Sequence, residues 1–174
     1  MVVDLAPSLL SNYIQVWKKV YEQDLSAVIF DMAQIIERPA VLILSGPVGA
    51  GKTTLIKYFI NVVSRDILKN TNNSDQVSSP SYSIINESDQ IAHADFYRLK
   101  DKDEITHLEI ALYGEDKEYF LIEWGRPFLR EIRRELGDCF SYYELDIEIK
   151  ESKDSLKIEK GSNSSRNLYL KKIK

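Results

Sequence analysis

The sequence predicts an α/β fold of the P-loop type, a central mixed β-sheet with helices on both faces. Three observations predict it. Val41-Leu42-Ile43-Leu44 is a short, continuous apolar run bounded by Pro39 and Gly46, as expected of a buried parallel strand. Gly46-Pro47-Val48-Gly49-Ala50-Gly51-Lys52-Thr53 follows and fits the pattern G-x-x-x-x-G-K-[ST]. Thr54 to Val63 is mostly apolar with no Gly or Pro, so the chain can continue as a buried helix. Strand, glycine-rich turn and helix together are the setting in which this pattern works as a phosphate-binding loop.

The other elements follow in chain order. Leu10, Tyr13, Ile14, Trp17, Val20 and Tyr21 fall at helical spacing and predict an extra N-terminal helical segment, about residues 1–23. Trp17 belongs either to its core stripe or to a partner surface. Leu25, Val28, Ile29, Met32, Ile35 and Ile36 repeat more cleanly and predict a second helix, with Asp24 as a candidate cap. Beyond the phosphate loop, Asn70 to Asp75 is polar and turn-rich, and reads as a loop. Tyr82–Asn86 and Ile91–Phe96 read as strands joined by a polar hairpin connection. Asp103 to Leu112 carries Ile105, Leu108 and Leu112 at helical spacing. Tyr119 to Ile122 is a second buried-strand run, ending in Glu123. Phe128, Leu129, Ile132 and Leu136 predict a helix that Gly137 terminates. Tyr143, Leu145, Ile147 and Ile149 alternate with polar residues, and Leu156–Ile158 and Leu168–Leu170 read as short strands. No repeat or linker interrupts the chain, which reads as a single domain over 1–174.

Composition narrows the function. The chain has 174 residues, 44% hydrophobic and 29% charged, with a net charge of −4. That balance argues against gripping nucleic acid through a global basic field, and direct strong tRNA binding is not expected. A single cysteine, Cys139, excludes an internal disulfide and fits a reducing cytoplasm. It reads as inert core. With only His93 and His107 beside it, a zinc site is not expected. No apolar run has the length of a membrane span, and no signal segment is recognised.

The loop's chemistry explains its residue types. Its N–H groups can form a nest for a β-phosphate at the positive end of the following helix. Lys52 would neutralise β- and γ-phosphate oxygens, and the Thr53 hydroxyl would be a magnesium ligand. The nucleotide-contacting candidates here are Gly46, Val48, Gly49, Ala50, Gly51, Lys52, Thr53 and Thr54. Such a site also needs an acidic group to complete the metal site and orient water. Glu123, closing Tyr119-Phe120-Leu121-Ile122, has the form of a Walker B carboxylate. Asp95, closing His93-Ala94, is the weaker match. Each reads equally as a solvated strand-end charge.

Three further segments make the reading specific. Ser79-Pro80-Ser81-Tyr82 with Asn86-Glu87, then His93-Ala94-Asp95-Phe96-Tyr97-Arg98-Leu99, then Leu121-Ile122-Glu123-Trp124 follow the loop in order. Together they resemble the TsaE family, small bacterial ATPases required for the threonylcarbamoyladenosine modification of tRNA. The resemblance covers about Asp24 to Trp124 and, more loosely, the strands beyond. Ser81 stands where threonine is usual, Pro47-Val48 replaces a common Asp-Leu, and Gly125 stands where proline is frequent. The first twenty or so residues and the Asn70–Asp75 loop look like additions.

The resemblance implies ATP and Mg2+ as cofactors and Lys52, Asp95 and Glu123 as the catalytic groups. Thr53, Glu123 and Asp95 would hold the metal. Ser81 would lie in a segment sensing the γ-phosphate, and Glu123-Trp124 would be a second switch, with Trp124 otherwise a core or rim aromatic. Tyr82 and Tyr97 read as packing residues and His93 as hydrogen-bonded structure. The implied partner is a TsaB–TsaD complex, reset by ATP turnover. Isolated hydrolysis is expected to be slow, because no arginine finger lies beside the loop in sequence; Arg98 is the nearest within a shared motif. A small-molecule kinase with the same loop is the alternative, for which Arg126, Arg130, Arg133 and Arg134 would supply a lid; their spacing otherwise marks a solvated helix face. A nucleotide-gated binding module without useful turnover is a third reading.

Overall fold

The structure is a computed structural model that describes residues 12–68, 84–87, 90–150 and 164–173. Among them, one seven-stranded sheet runs β1-β7-β6-β2-β5-β4-β3. The strands are β1 (Gln15–Val20), β2 (Ala40–Ser45), β3 (Ile85–Glu87), β4 (Ile91–Asp95), β5 (Tyr119–Glu123), β6 (Ser141–Lys150) and β7 (Ser165–Lys172). The sheet is mixed, as expected: β2 pairs parallel with β5 and β6, and β4 with β5. The β1–β7, β6–β7 and β3–β4 pairs are antiparallel.

Helices cover both faces. On one side lie α1 (Leu25–Ile35) and α2 (Lys52–Leu68), whose Ile29, Met32, Ile56 and Phe59 pack against Leu42, Leu44, Leu121 and Leu145. On the other lie α3 (Asp103–His107), α4 (Ile110–Gly114) and α5 (Leu129–Leu136), which set Ile105, Ile110, Ile132 and Leu136 against Val41, Ile43, Phe120 and Ile122. The continuous apolar run of β2 is explained by this sandwich. Successive side chains point to opposite faces, and both faces are dry, so every position needs an apolar residue. From Ala40 to Leu44 the strand is fully buried.

Several expectations are corrected. The helical reading of the N-terminal segment fails where the structure describes it: Gln15–Val20 is an edge strand, Val16 opposite Tyr169 and Trp17 opposite Leu168. Its β-branched and aromatic residues suit a half-buried pleated surface, and pairing with β7 overrides the apparent helical period. Trp17 packs beside the core and donates its indole N–H to Asp31 of α1 at 2.8 Å. Asp24 directly precedes α1 but does not cap it; its carboxylate accepts the Tyr21 N–H at 2.9 Å. The single helix expected over 103–112 is two short ones, broken where Glu109 takes φ +50°. Cys139 is exposed, in the turn between α5 and β6, and is not core. The Asn70–Asp75 loop, Ser81, Tyr82 and the Leu156–Ile158 strand lie outside the described residues.

Candidate functional site

The parallel strands bring three sequence-distant segments to one sheet end. Leu44, at the end of β2, is opposite Glu123 at the end of β5, and Glu123 is opposite Asp95 at the end of β4. The carboxyl ends of parallel strands are where α/β folds collect ligands. The glycine-rich loop leaves β2 at this edge and feeds directly into α2.

Backbone geometry explains one glycine in particular. Gly46 has φ +150°, and a Cβ there would lie 2.7 Å from the Ile147 carbonyl oxygen. The loop closes through Ala50 N–H donating to Pro47 O at 3.2 Å, while Leu55 N–H donates to Gly51 O as the helix begins. Ala50 is buried, whereas Val48 stands out at the loop's tip.

Lys52 turns back over this loop. Its Nζ donates to Gly46 O at 3.0 Å and Pro47 O at 2.9 Å, and sits 4.0 Å from the centroid of the Trp124 ring. Burial pulls its ammonium pKa below the ordinary lysine value, and the Glu123 and Asp95 carboxylates oppose that shift. Thr53, the next residue, donates its hydroxyl to both oxygens of Glu123, at 2.9 and 3.1 Å. Glu123 is 3% exposed, and His93 Nε2 lies 3.3 Å from its Oε1. Asp95 is exposed and accepts the Tyr97 N–H at 3.0 Å. Trp124 has φ +59° and its ring stands 5.1 Å from that of Tyr97. Lys52 thus contacts Trp124 and the adjoining Thr53 contacts Glu123, with Asp95 paired beside Glu123 on the next strand.

The oxygen donors present suit magnesium. Thr53 Oγ1 and one nearly buried carboxylate make a hard, partial set, and magnesium is commonly held by one or two protein ligands together with substrate phosphates. No group of three or more His, Cys, Asp or Glu able to hold a metal occurs among the described residues.

Two features had no local sequence signal. Arg166 of β7 reaches the loop from the other end of the chain: its Nε donates to Ala50 O at 3.1 Å. Ser45, at the end of β2, donates to Glu144 at 2.6 Å, and that buried carboxylate also meets Arg126 at 3.1 Å and Lys171 at 3.0 Å. The arginines weighed as a kinase lid are largely engaged within the chain. Arg126 pairs with Glu144, Arg133 stacks on Tyr142 and donates to Ile173 O, and Arg134 bonds Thr106 and Glu135.

Fold and site together define a P-loop α/β protein: a buried parallel strand, a glycine-rich loop, a helix, and an acidic strand end beside the lysine and threonine. The model of the threonylcarbamoyl adenosine biosynthesis protein TsaE family matches residues 20–159. The chain belongs to the TsaE family, a nucleotide-binding family of tRNA modification. Among solved structures it is similar to the crystal structure of Bacillus subtilis YdiB, with a TM-score of 0.52 and 21% identity over 90% of this chain and 84% of that one, which shows a shared fold. No curated protein matches the sequence. No described helix is long and apolar enough to cross a membrane.

Proposed function

We propose that this chain binds and hydrolyses ATP with magnesium in the cytoplasm. The turnover resets a TsaB–TsaD complex during threonylcarbamoyladenosine modification of tRNA. The observation that carries this reading is the Thr53–Glu123 bond beside Lys52, because it puts a hydroxyl, a carboxylate and a cation at the mouth of a phosphate nest. The family supplies the pathway.

Each residue has a role in this reading. Lys52 exchanges the Gly46 and Pro47 carbonyls for β- and γ-phosphate oxygens, and so leaves the Trp124 ring. Thr53 and Glu123 hold the magnesium ion, which when bound would neutralise charge on the phosphates. Asp95, exposed at the adjoining strand end, orients the attacking water. Gly46, Val48, Gly49, Ala50 and Gly51 enclose the phosphates with their backbone, and Thr54 lines the nucleotide's near side. Ser81 belongs to the segment that senses the γ-phosphate. Trp124, whose ring contacts both Lys52 and Tyr97, carries the nucleotide state to the surface.

Titration calorimetry with ATP and ADP, paired with phosphate release with and without the partner complex, tests the proposal. Lys52→Ala is expected to weaken ATP binding at least tenfold, since hydrogen bonds to charged groups contribute about 1.5–3 kcal/mol each. Unchanged affinity together with unchanged phosphate release overturns the assignment. Transfer of the phosphoryl group to a small acceptor instead of water establishes the kinase reading.

A further inference from the structure

Arg166 lies beyond the stretch matched by the family model and 116 positions from the loop residue it touches. Its guanidinium is held from two sides. Nε donates to Ala50 O at 3.1 Å, and Nη1 donates to Ser164 O at 2.6 Å. Nε also lies 3.7 Å from where a Cβ on Gly51 would stand, so the guanidinium packs against the loop at Gly51. It lines a small cavity of about 50 Å3 with Tyr21, Glu22 and Thr54.

The peptide joining Ala50 to Gly51 is planar and trans, so its C=O and N–H point in opposite directions. A donor that fixes the Ala50 carbonyl therefore fixes the Gly51 N–H in the opposite direction, away from Arg166. Loop N–H groups cradle phosphate in a nest of this kind, and they bind best when already aimed. We infer that Arg166 is a positioning residue for the phosphate loop: by gripping the Ala50 carbonyl it presents the Gly51 amide to a β-phosphate. The inference deepens the nucleotide reading above and rests on it. Its ligand chemistry is a diphosphate, independent of the base. The guanidinium does not touch the phosphate; its bonds are to backbone carbonyls.

The test uses the full chain with Arg166→Ala, Arg166→Gln and Arg166→Lys, titrated with ADP, GDP and inorganic pyrophosphate. Amide hydrogen exchange at Gly51 is followed without ligand. Arg166→Ala is expected to lose roughly tenfold or more in affinity, by the same factor for all three ligands, and to speed Gly51 exchange. Arg166→Lys, which keeps a charged donor, is expected to recover part of both losses, and Arg166→Gln less. A loss confined to ADP, with pyrophosphate unaffected, overturns the inference in favour of a base contact. A lowered melting temperature with unchanged affinity and unchanged Gly51 exchange overturns it in favour of a purely structural tie. Unchanged Gly51 exchange overturns it whatever the ligands do. Absence of ADP and pyrophosphate binding in the parent chain, with Gly51 exchange still accelerated by Arg166→Ala, overturns the nucleotide reading and the phosphate role while leaving the loop contact standing.

Discussion

Thr53 and Glu123, 70 positions apart, share a forked hydrogen bond in which the hydroxyl donates to the two carboxylate oxygens at 2.9 and 3.1 Å, at the junction of the phosphate loop and β5. The threonine is the first side chain of α2 after Lys52, and the carboxylate is the last residue of its strand. Neither position is free to move: α2 is anchored by Leu55, Ile56 and Phe59 in the core, and β5 is buried along its length. A nearly buried carboxylate aimed at a helix N-terminus is held by that hydroxyl and by the positive end of the helix.

This pairing predicts a division of labour between the two acidic strand ends. Glu123→Ala is expected to abolish magnesium-dependent phosphate release while weakening ADP binding only a few-fold, because its charge matters most as the γ-phosphate departs. Asp95→Ala is expected to slow release by a smaller factor. Steady-state phosphate release across a magnesium titration, set beside ADP calorimetry, checks both. The roles are reversed if Asp95→Ala abolishes release and Glu123→Ala leaves it largely intact.

Gly46→Ala and Gly49→Ala are expected to differ in cost. At Gly46 the new methyl would meet the Ile147 carbonyl at 2.7 Å, a backbone atom that cannot swing aside. At Gly49 φ is +79° with open space around the site, so only conformational strain of about 1–2 kcal/mol applies. Gly46→Ala should therefore cost clearly more, about 2–4 kcal/mol by chemical denaturation. Equal destabilisation by the two changes would show that β6 yields to the loop.

The parts of this fold legible in sequence are those whose pattern is local. The apolar runs of β2 and β5 predict strands because both their faces are dry, and Gly137, at φ +73°, ends α5 where the periodicity stops. Gly46 to Thr53 could be read as a glycine-rich turn from strand to helix, because its glycines and the apolar runs on either side of it are local features. The largest misreading concerns an element whose partner is remote. Residues 13 to 21 carry a helical spacing of apolar groups, yet the open edge of β7, about 150 positions later, draws Gln15–Val20 into the sheet. For the same reason the Arg166 grip on Ala50, and the meeting of Arg126 and Lys171 on Glu144, have no signature in any window of neighbouring residues.

Tyr142 gives a prediction in alkali. Burial pushes its hydroxyl pKa up to about 12, the nearby Arg133 guanidinium opposing and Cys139 and Asp138 adding to the rise. The hydroxyl donates to Gly137 O at 2.7 Å. A folded pKa above the unfolded value of about 10 means stability is fully present below pH 10 and is lost as pH climbs toward 12. Tyr142→Phe is expected to cost about 0.5–1.5 kcal/mol near neutral pH through the lost hydrogen bond. It should also flatten that alkaline decline relative to the parent chain. Urea midpoints from pH 8 to pH 11.5 check it; parallel curves for the two proteins would place the alkaline loss elsewhere.

The last prediction joins the loop to the proposed partner. Lys52 Nζ rests over Trp124, and Trp124 leans on the exposed ring of Tyr97. Withdrawal of the ammonium toward a γ-phosphate removes a contact of about 0.5–2 kcal/mol from the indole face and frees the aromatic pair to change its packing. If that pair touches the TsaB–TsaD complex, ATP must change affinity for the complex, and the complex must change affinity for ATP by the same factor. Titrations with ATP, ADP and no nucleotide are expected to give different partner affinities in the parent chain. In Trp124→Ala the differences are expected to shrink while ADP binding persists. Equal partner affinity in all three states would remove the switch even if the complex itself formed. A nucleotide response undiminished in Trp124→Ala would move it to another segment, with the stretch around Ser81 the next to test.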